Sequence, residues 1–214
     1  MIIVGAGGLA KELLEVFYQK SDGKRLCFYD GVSKNKENSL YNEYPILRSE
    51  KEVMDYMLGT SNEFTLGIGN PINRFLLYEK FNALGGSLSS AISTRAFIGS
   101  YDVIIGTGAN ILATAVISNS VSIGLASLVY YNVTITHDCI IGDFVEISPG
   151  ATILGGAKIG AFTQIGANAT ILPRIEIGTN CIVGAGAVVT KDVPNNCLVV
   201  GVPAKVVKEL NPIV

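Results

Sequence analysis

Tryptophan is absent from this 214-residue chain, and aromatic residues make up only 8% of it although hydrophobic residues reach 49%. The apolar content is therefore mostly aliphatic, which favours a repetitive Ile/Val architecture over an ordinary mixed core. The 24 glycines are too many for a helical bundle and lack the strict period of collagen. Basic runs are also missing and the formal net charge is −2, so the chain lacks the electrostatic footprint of a nucleic-acid-binding protein.

Long apolar segments are missing as well. No uninterrupted apolar run approaches the roughly 18 residues that a membrane span needs. Residues 1–5 lack the charged segment and the apolar length of a signal peptide, so we expect a cytoplasmic protein without a membrane partner. The four cysteines, Cys27, Cys139, Cys181 and Cys197, show no CxxC spacing, and we expect neither a zinc site nor a disulfide framework.

An aliphatic residue recurs at every sixth position between residues 105 and 189. Fifteen consecutive hexads begin with Ile or Val, without a slip or an exception, and the fifth position of each hexad is never charged and rarely large. Such a fixed period is the signature of a solenoid. The first positions are Ile105, Ile111, Ile117, Ile123, Val129, Ile135, Ile141, Ile147, Ile153, Ile159, Ile165, Ile171, Ile177, Val183 and Val189.

A second period of 18 residues lies on top of the first, because Ile-Gly pairs begin at residues 105, 123, 141, 159 and 177. Eighteen residues are three hexads, so each period predicts one triangular coil of three short strands. We expect the glycines at corners whose backbone shape a Cβ would oppose. Five coils at ~4.8 Å each predict a prism about 24 Å tall, with part of a further coil near residues 98–99.

Residues 1–90 have a different pattern, that of a small βαβ domain with a parallel sheet. Short apolar runs predict strands at residues 2–4, 26–29 and 64–68. Helices are predicted after the glycine-rich loop at residues 5–8, after the capping box that begins at Ser49, and after the pair Asn70-Pro71, an N-cap followed by proline at the first helical position. The last two helices are expected to run to Met57 and toward Phe81.

The glycine-rich loop is a candidate phosphate site. Ligands of parallel sheets bind beyond the carboxyl ends of the strands, where residues 5–8, Asp30 and the pair Gly69-Asn70 are expected to lie. Gly-x-Gly-x-x-Ala at residues 5–10 is a weak dinucleotide fingerprint whose backbone N–H groups could approach a phosphate. A domain this short fits a nucleotide attached to a sugar better than NAD, and a tight turn without a ligand is the alternative.

The chain has one histidine, His137, which is the third residue of the hexad that begins at Ile135. Its side chain should therefore point away from the packed interior. An imidazole is the natural general base near neutral pH, so His137 is the candidate base. The alternative is a lone surface histidine. The Thr136–Cys139 context, the position midway along the prism and the attached domain favour catalysis.

Three segments together resemble one protein family: GAGGLAKE at residues 5–12, ITHDCIIG at residues 135–142 and GVPAK at residues 201–205. The family contains the sialic acid O-acetyltransferases and the nucleotide-amino-sugar N-acetyltransferases of bacterial glycan pathways, and the resemblance spans essentially the whole chain. It implies an α/β Rossmann-like half-domain over residues 1–90 and an all-β left-handed parallel β-helix over residues 91–214. It also implies a homotrimer with active sites between subunits.

The resemblance implies acetyl-coenzyme A-dependent acetylation of a sugar without a metal, by preference N-acetylation of a nucleotide-linked amino sugar in bacterial surface-glycan biosynthesis. His137 would deprotonate the acceptor, Asp138 would support the imidazole, and the backbone N–H of Gly155 would stabilise the tetrahedral oxyanion. The positions that match the family's coenzyme-lining residues are Glu146, Ala167 and Ala185. Those that match its sugar-nucleotide residues are Gly7, Gly8, Leu9, Asp30 and Gly69.

The chain departs from the family pattern near the acceptor. Leu9 stands where many members carry a histidine, Tyr130-Tyr131 stand where many carry Asn-Thr, and Glu146 replaces a polar or histidine side chain. O-acetylation of sialic acid or another sugar therefore stays open, as does a non-catalytic binding or scaffold protein. A γ-type carbonic anhydrase would need three histidines, which one histidine per chain supplies only on a three-fold axis.

Overall fold

The computed structural model describes residues 1–20, 25–33 and 37–213. Among the described residues before residue 90, short strands alternate with three helices, which begin at Gly8, Glu50 and Pro71. The helices are α1 (Gly8–Lys20), α2 (Glu50–Gly59) and α3 (Pro71–Ala83), and the strands are β1 (Ile2–Val4), β2 (Cys27–Tyr29), β3 (Ser39–Leu40), β4 (Tyr44–Leu47), β5 (Glu63–Leu66) and β6 (Ser87–Leu88).

These six strands form one sheet in the order β3-β4-β2-β1-β5-β6, parallel except for the antiparallel pair β3 and β4. The three predicted strands and three predicted helices are present. The sheet also contains β3, β4 and β6, which the sequence did not predict because each is short and Pro45 interrupts the apolar run in β4. The strand predicted at residues 64–68 ends at Leu66, and residues 67–70 form the loop that follows it.

The predicted helix caps are present with one difference. Asn70 accepts a hydrogen bond on Oδ1 from the backbone N–H of Asn73 at 3.0 Å. The Oγ of Ser49 accepts from the N–H of Glu52 at 3.3 Å, as in a capping box. The return bond differs, because the Glu52 carboxylate accepts from the N–H of Arg48 at 2.8 Å.

The rest of the chain is a stack of short parallel strands that ends in an antiparallel hairpin. They are β7 (Ala91–Ile92), β8 (Phe97–Ile98), β9 (Ile104–Ile105), β10 (Asn110–Ile111), β11 (Val116–Ile117), β12 (Ser122–Ile123), β13 (Leu128–Val129), β14 (Thr134–Ile135), β15 (Ile140–Ile141), β16 (Glu146–Ile147), β17 (Thr152–Ile153), β18 (Lys158–Ile159), β19 (Gln164–Ile165), β20 (Thr170–Ile171), β21 (Glu176–Ile177), β22 (Ile182–Val183), β23 (Val188–Val189), β24 (Cys197–Gly201) and β25 (Ala204–Glu209).

The strands form three walls of a prism. Wall 1 contains β7, β10, β13, β16, β19 and β22 and is closed by the hairpin β24–β25; wall 2 contains β8, β11, β14, β17, β20 and β23; wall 3 contains β9, β12, β15, β18 and β21. Between β9 and β23 each paired strand lies one coil, or 18 residues, from its partner, as in the pair Thr134↔Thr152. The first coil is one residue longer, as in the pair Ala91↔Asn110. This is the predicted β-helix, including the extra strands β7 and β8 before the regular coils.

The hexad repeat fills the interior of the prism. From Ile111 to Val189, every first-position side chain is at most 3% exposed. Burying one such side chain is worth about 2 kcal/mol, so the repeat accounts for the stability of the stack. Cys139 and Cys181 are free and buried in this core.

The corner glycines have a different role from the one expected. Their backbones do not adopt positive φ; instead, the coil above lies directly against them. A Cβ on Gly160 would lie 2.5 Å from the carbonyl carbon of Gly178. Positive φ occurs at the fourth position of each hexad from residue 108 to residue 186, whatever the residue type, as at Asp138 (φ 62°) and Phe144 (φ 54°). The corner glycines are therefore required by close stacking, which corrects the sequence-based explanation.

The first part of the chain packs on wall 1. Leu9 and Leu13 of α1 belong to the same apolar cluster as Leu112 and Leu128 of the β-helix. Phe75 of α3 packs edge-on against two stacked rings of the β-helix, at positions 144 and 162. The division into two domains at residue 90 stays a prediction, because the two parts share these clusters. Among the described residues, no helix combines the length and apolar character needed to cross a bilayer.

Candidate active site

His137 and Asp138 lie at the corner that leads from wall 2 to wall 3, directly after β14. The left-handed backbone at Asp138 turns its side chain beside the imidazole, and Nδ1 of His137 lies 2.7 Å from Oδ2 of Asp138. Both side chains are about two-thirds exposed, at 67% and 65%. The third hexad position therefore projects outward, as the repeat predicts.

The Asp138 carboxylate determines which nitrogen of the His137 imidazole carries the proton. An ionised carboxylate only accepts hydrogen bonds, so Nδ1 carries the proton and Nε2 presents its lone pair. The carboxylate also holds the ring in one orientation. The His137–Asp138 pair is therefore arranged to accept a proton at Nε2.

Gly155 lies one coil further on at the same corner. A Cβ on Gly155 would lie 2.6 Å from Cε1 and 2.7 Å from Nε2 of His137, so the ring rests against the glycine backbone. The neighbouring backbone is held by hydrogen bonds from the Gly156 N–H to the His137 carbonyl and from the Arg174 N–H to the Gly155 carbonyl, both at 2.9 Å. Within the described part of the chain, the Gly155 N–H itself donates to no acceptor. The residue on which the ring rests thus has a backbone N–H that is free to donate.

The glycine loop follows β1 and opens α1. Gly5 has a φ of 123°, and a Cβ there would lie 2.6 Å from the carbonyl oxygen of Gly67, so only glycine fits. Gly7 and Gly8 are exposed, and a Cβ on either would meet nothing within 4 Å. Leu9 is only 7% exposed and packs in the apolar cluster beneath α1. The loop therefore offers open backbone at a helix N-terminus, the usual place for a phosphate.

A cavity of about 350 Å³ lies at the carboxyl ends of β1, β2 and β5. Its lining includes Asp30, whose Oδ1 accepts hydrogen bonds from the N–H groups of Val32 (3.2 Å) and Ser33 (2.9 Å). The other carboxylate oxygen pairs with the guanidinium of Arg48 at 3.1 Å. Asp30 is thus held rigidly at the edge of the cavity, whereas Gly7, Gly8, Leu9 and Gly69 are not part of its lining.

Glu146, the first residue of β16, faces the loop after β5. Its Oε1 lies 3.6 Å from the point that a Cβ on Gly69 would occupy. Burial raises the pKa of the Glu146 carboxyl; the Arg74 guanidinium and a hydrogen bond from Ser148 partly oppose that shift. In this chain Glu146 therefore neighbours a residue predicted to bind the sugar nucleotide, Gly69.

The predicted site residues lie on three different edges of the prism. His137, Asp138 and Gly155 lie on the edge between walls 2 and 3, and Glu146 follows the edge between walls 3 and 1. Ala167 and Ala185 lie on the edge between walls 1 and 2, where the Gly186 N–H donates to the Ala167 carbonyl at 2.8 Å. One chain does not bring these groups together.

Sequence reasoning missed Arg74, which is fully buried between α3 and the β-helix. Desolvation lowers the pKa of its guanidinium to about 10, and the Glu146 carboxylate opposes that change. A signal was present, because Arg74 shares one face of α3 with Tyr78 and Phe81 at helical spacing. An arginine within an apolar face indicates a buried cation that needs acceptors.

Two family models match the chain: the PglD N-terminal domain at residues 1–81 and the bacterial transferase hexapeptide (six repeats) at residues 156–191. Comparison with curated protein sequences gives no significant match. In the described residues, no group of three or more His, Cys, Asp or Glu side chains is arranged to hold a metal.

Solved structures match over nearly the full length. PerB from Caulobacter crescentus, in complex with CoA and GDP-perosamine, is 27% identical with a TM-score of 0.88, over 97% of this chain and 96% of that one. A mutant of this perosamine N-acetyltransferase in the same complex has a TM-score of 0.89. The acetyltransferase domain of PglB from Neisseria gonorrhoeae is 29% identical with a TM-score of 0.87 (96% and 98%). WeeI from Acinetobacter baumannii is 29% identical with a TM-score of 0.86 (97% and 100%).

The prism, the corner that presents His137 and these similarities define the class of protein: it is an acetyltransferase of the hexapeptide-repeat kind. The N-terminal half-domain narrows the class further. The chain is similar to nucleotide-amino-sugar acetyltransferases, with a match to the PglD N-terminal domain in its first part followed by a β-helix. The family and fold class predicted from the sequence are confirmed.

Proposed function

We propose that this protein transfers the acetyl group of acetyl-coenzyme A to the amine of a nucleotide-linked amino sugar, as a step in bacterial glycan biosynthesis. The observation that carries the proposal is the His137–Asp138 pair beside the free N–H of Gly155. Two solved relatives support the substrates, since one was crystallised with CoA and GDP-perosamine and another with acetyl-coenzyme A.

In the proposed reaction the acceptor amine attacks the carbonyl carbon of the thioester while Nε2 of His137 takes a proton from the nitrogen. Asp138 stabilises the imidazolium that forms. The carbonyl oxygen becomes an oxyanion, which the Gly155 N–H would stabilise. Removal of such a donor typically raises the activation barrier by about 3 kcal/mol. The C–S bond then breaks, and the imidazolium returns its proton to the departing thiolate. The products are the N-acetyl sugar and coenzyme A.

The acceptor is proposed to bind across the carboxyl ends of β1, β2 and β5. Gly7 and Gly8 would receive phosphate oxygens, and the cavity beside Asp30 would hold the nucleoside. Gly69 leaves room between its loop and Glu146. Leu9 contributes its backbone, because its side chain is buried.

A homotrimer is part of the proposal. A site that needs His137 from one edge of the prism and Ala167 and Ala185 from another is incomplete in one chain, and packing prisms side by side would bring different edges together. The small side chains of Ala167 and Ala185 fit a groove for the pantetheine arm. The four cysteines are free and buried, which suits the cytoplasmic location that we also propose.

The direct test is a substrate panel. Purified protein is incubated with acetyl-coenzyme A and GDP-, UDP-, dTDP- or CMP-linked amino sugars, while thiol release and the mass of the sugar product are measured. The proposal predicts thiol release with at least one amino sugar and a product that is heavier by one acetyl group. Turnover only with hydroxyl acceptors would favour O-acetylation, and no turnover with any acceptor would favour a non-catalytic protein.

A further inference from the structure

Arg74 joins the two parts of the molecule. Its side chain is completely buried, and Nη1 donates to the carbonyls of Leu66 (3.1 Å) and Ile68 (2.9 Å) at the end of β5. On the other side, Nε donates at 3.0 Å to the carbonyl of Ala126 in the β-helix, which also accepts from Nη2. A planar guanidinium can serve both sides at once because its donors form a rigid fork.

A second buried side chain holds the same strand end. Asn110 of β10 donates from Nδ2 to the Leu66 carbonyl at 2.9 Å, so that one carbonyl accepts from both Asn110 and Arg74. The Oδ1 of Asn110 accepts from Thr65 Oγ1 at 3.0 Å and from the Ala91 N–H at 3.1 Å. Wall 1 therefore holds the end of β5 through hydrogen bonds that water does not reach.

The chain that follows this strand end is residues 67–70, here called the acceptor loop. It begins at Gly67, whose N–H donates to the Val4 carbonyl at 2.8 Å, and it contains Gly69 opposite Glu146. Arg74 and Asn110 hold the loop's starting point against the β-helix but lie beneath it, where no substrate atom could touch them. Their effect on a reaction would be through the position of the loop.

We propose that Arg74 is a positioning residue: with Asn110 it fixes the acceptor loop relative to wall 1, and thereby aligns the acceptor amine with the thioester. This inference depends on the proposed function, because it concerns the acceptor half of that site. Displacement of a reacting group by about 1 Å typically costs about 100-fold in rate. A misaligned acceptor would bind nearly as well but react more slowly.

The test compares Arg74→Lys with two controls. Lysine keeps the charge but lacks the fork, so we expect kcat to fall by about 10- to 100-fold while KM for the nucleotide sugar and for acetyl-coenzyme A changes less than about 3-fold. Arg95→Lys, on the exposed side of the β-helix, controls for the substitution itself. Val53→Ala, a core change in α2, controls for lost stability and should keep its kcat at temperatures below its Tm.

A second measurement does not depend on turnover. Hydrogen–deuterium exchange in residues 66–70 should be faster in Arg74→Lys than in wild type, while the coils of the β-helix keep their protection. If Arg74→Lys does not fold, the isosteric Thr65→Val, which removes one bond to Asn110, replaces it and should show both effects to a smaller degree.

Two results would overturn the inference: a kcat for the folded variant within two-fold of wild type, or unchanged exchange in residues 66–70. Absence of turnover in wild-type protein would refute the proposed function instead. The comparison of hydrogen–deuterium exchange in residues 66–70 between Arg74→Lys and wild type would then decide whether Arg74 holds the acceptor loop.

Discussion

The geometry around His137 depends on the absence of a side chain at Gly155. Because a Cβ there would lie 2.6 Å from the imidazole, Gly155→Ala should push the ring out of line with its backbone donor. We expect kcat to fall by about 100-fold or more. The matched control is Gly59→Ala, at an exposed helix end where a Cβ meets nothing within 4 Å. Equal losses of activity in both variants would contradict the proposed site.

The buried carboxyl of Glu146 should make the stability of the folded protein depend on pH. Its folded-state pKa is raised above 4.5 by burial, so the ionised carboxylate costs stability in the folded state. The folded protein holds the proton more tightly than the unfolded chain, so wild type loses stability as pH rises from about 4.5 through the raised pKa. In Glu146→Gln an amide that does not ionise replaces the carboxyl, so this loss of stability with rising pH is absent.

The free energy of unfolding of Glu146→Gln minus that of wild type should therefore increase with pH across this window and level off above it. Urea denaturation of both proteins at a series of pH values measures the difference, in which other titrating groups cancel. A difference that falls as pH rises would mean that pairing with Arg74 outweighs burial.

At the scale of elements, the absence of side chains at the corner glycines allows neighbouring coils to stack closely. In Gly160→Ala the added methyl group would lie 2.5 Å from the backbone of the next coil, and the φ of Gly160 is not in the left-handed region. We expect a loss of about 1 to 3 kcal/mol from overpacking. Thermal denaturation beside Gly59→Ala checks this, and an unchanged Tm for Gly160→Ala would show that the coils separate easily.

Elements with a strict local pattern could be predicted from the sequence, and those that depend on neighbours could not. The hexads predicted the β-helix strands, because an inward side chain every six residues specifies this solenoid. β3 and β4 escaped prediction because a two-residue strand and one containing Pro45 carry almost no periodic signal. The left-handed fourth positions escaped too, since Phe144 and Arg174 are residue types that rarely adopt positive φ.

The residues of the candidate site also differ in whether the sequence could predict them. The third hexad position placed His137 on the outside, and the family pattern supplied Asp138 and Gly155. The burial of Leu9 and the bonds of Arg74 depend on how α1 and α3 pack on wall 1, which no local pattern encodes. Glu146 and Gly69 likewise become neighbours only when the first part of the chain packs on the β-helix.

At the scale of the whole molecule, the three-edge arrangement predicts complementation between inactive chains. His137→Ala removes the base from one edge, and Ala185→Trp should block the coenzyme groove on another. Each variant alone should be inactive. In the proposed trimer, chains reassembled from an equal mixture should regain about a quarter of wild-type activity, because about a quarter of the sites combine two intact edges. Size-exclusion chromatography with light scattering verifies the assembly, and no recovery in mixed trimers would contradict a site shared between chains.

In the proposed reaction the His137–Asp138 pair acts as the base, and every other proposed step depends on it. The most direct measurement is the steady-state turnover of wild type, His137→Ala and Asp138→Asn with acetyl-coenzyme A and the nucleotide amino sugar that wild type accepts. We expect kcat to fall by about 100- to 10,000-fold in His137→Ala and by a smaller factor in Asp138→Asn, with KM for both substrates nearly unchanged. Turnover of His137→Ala at the wild-type rate would contradict the account.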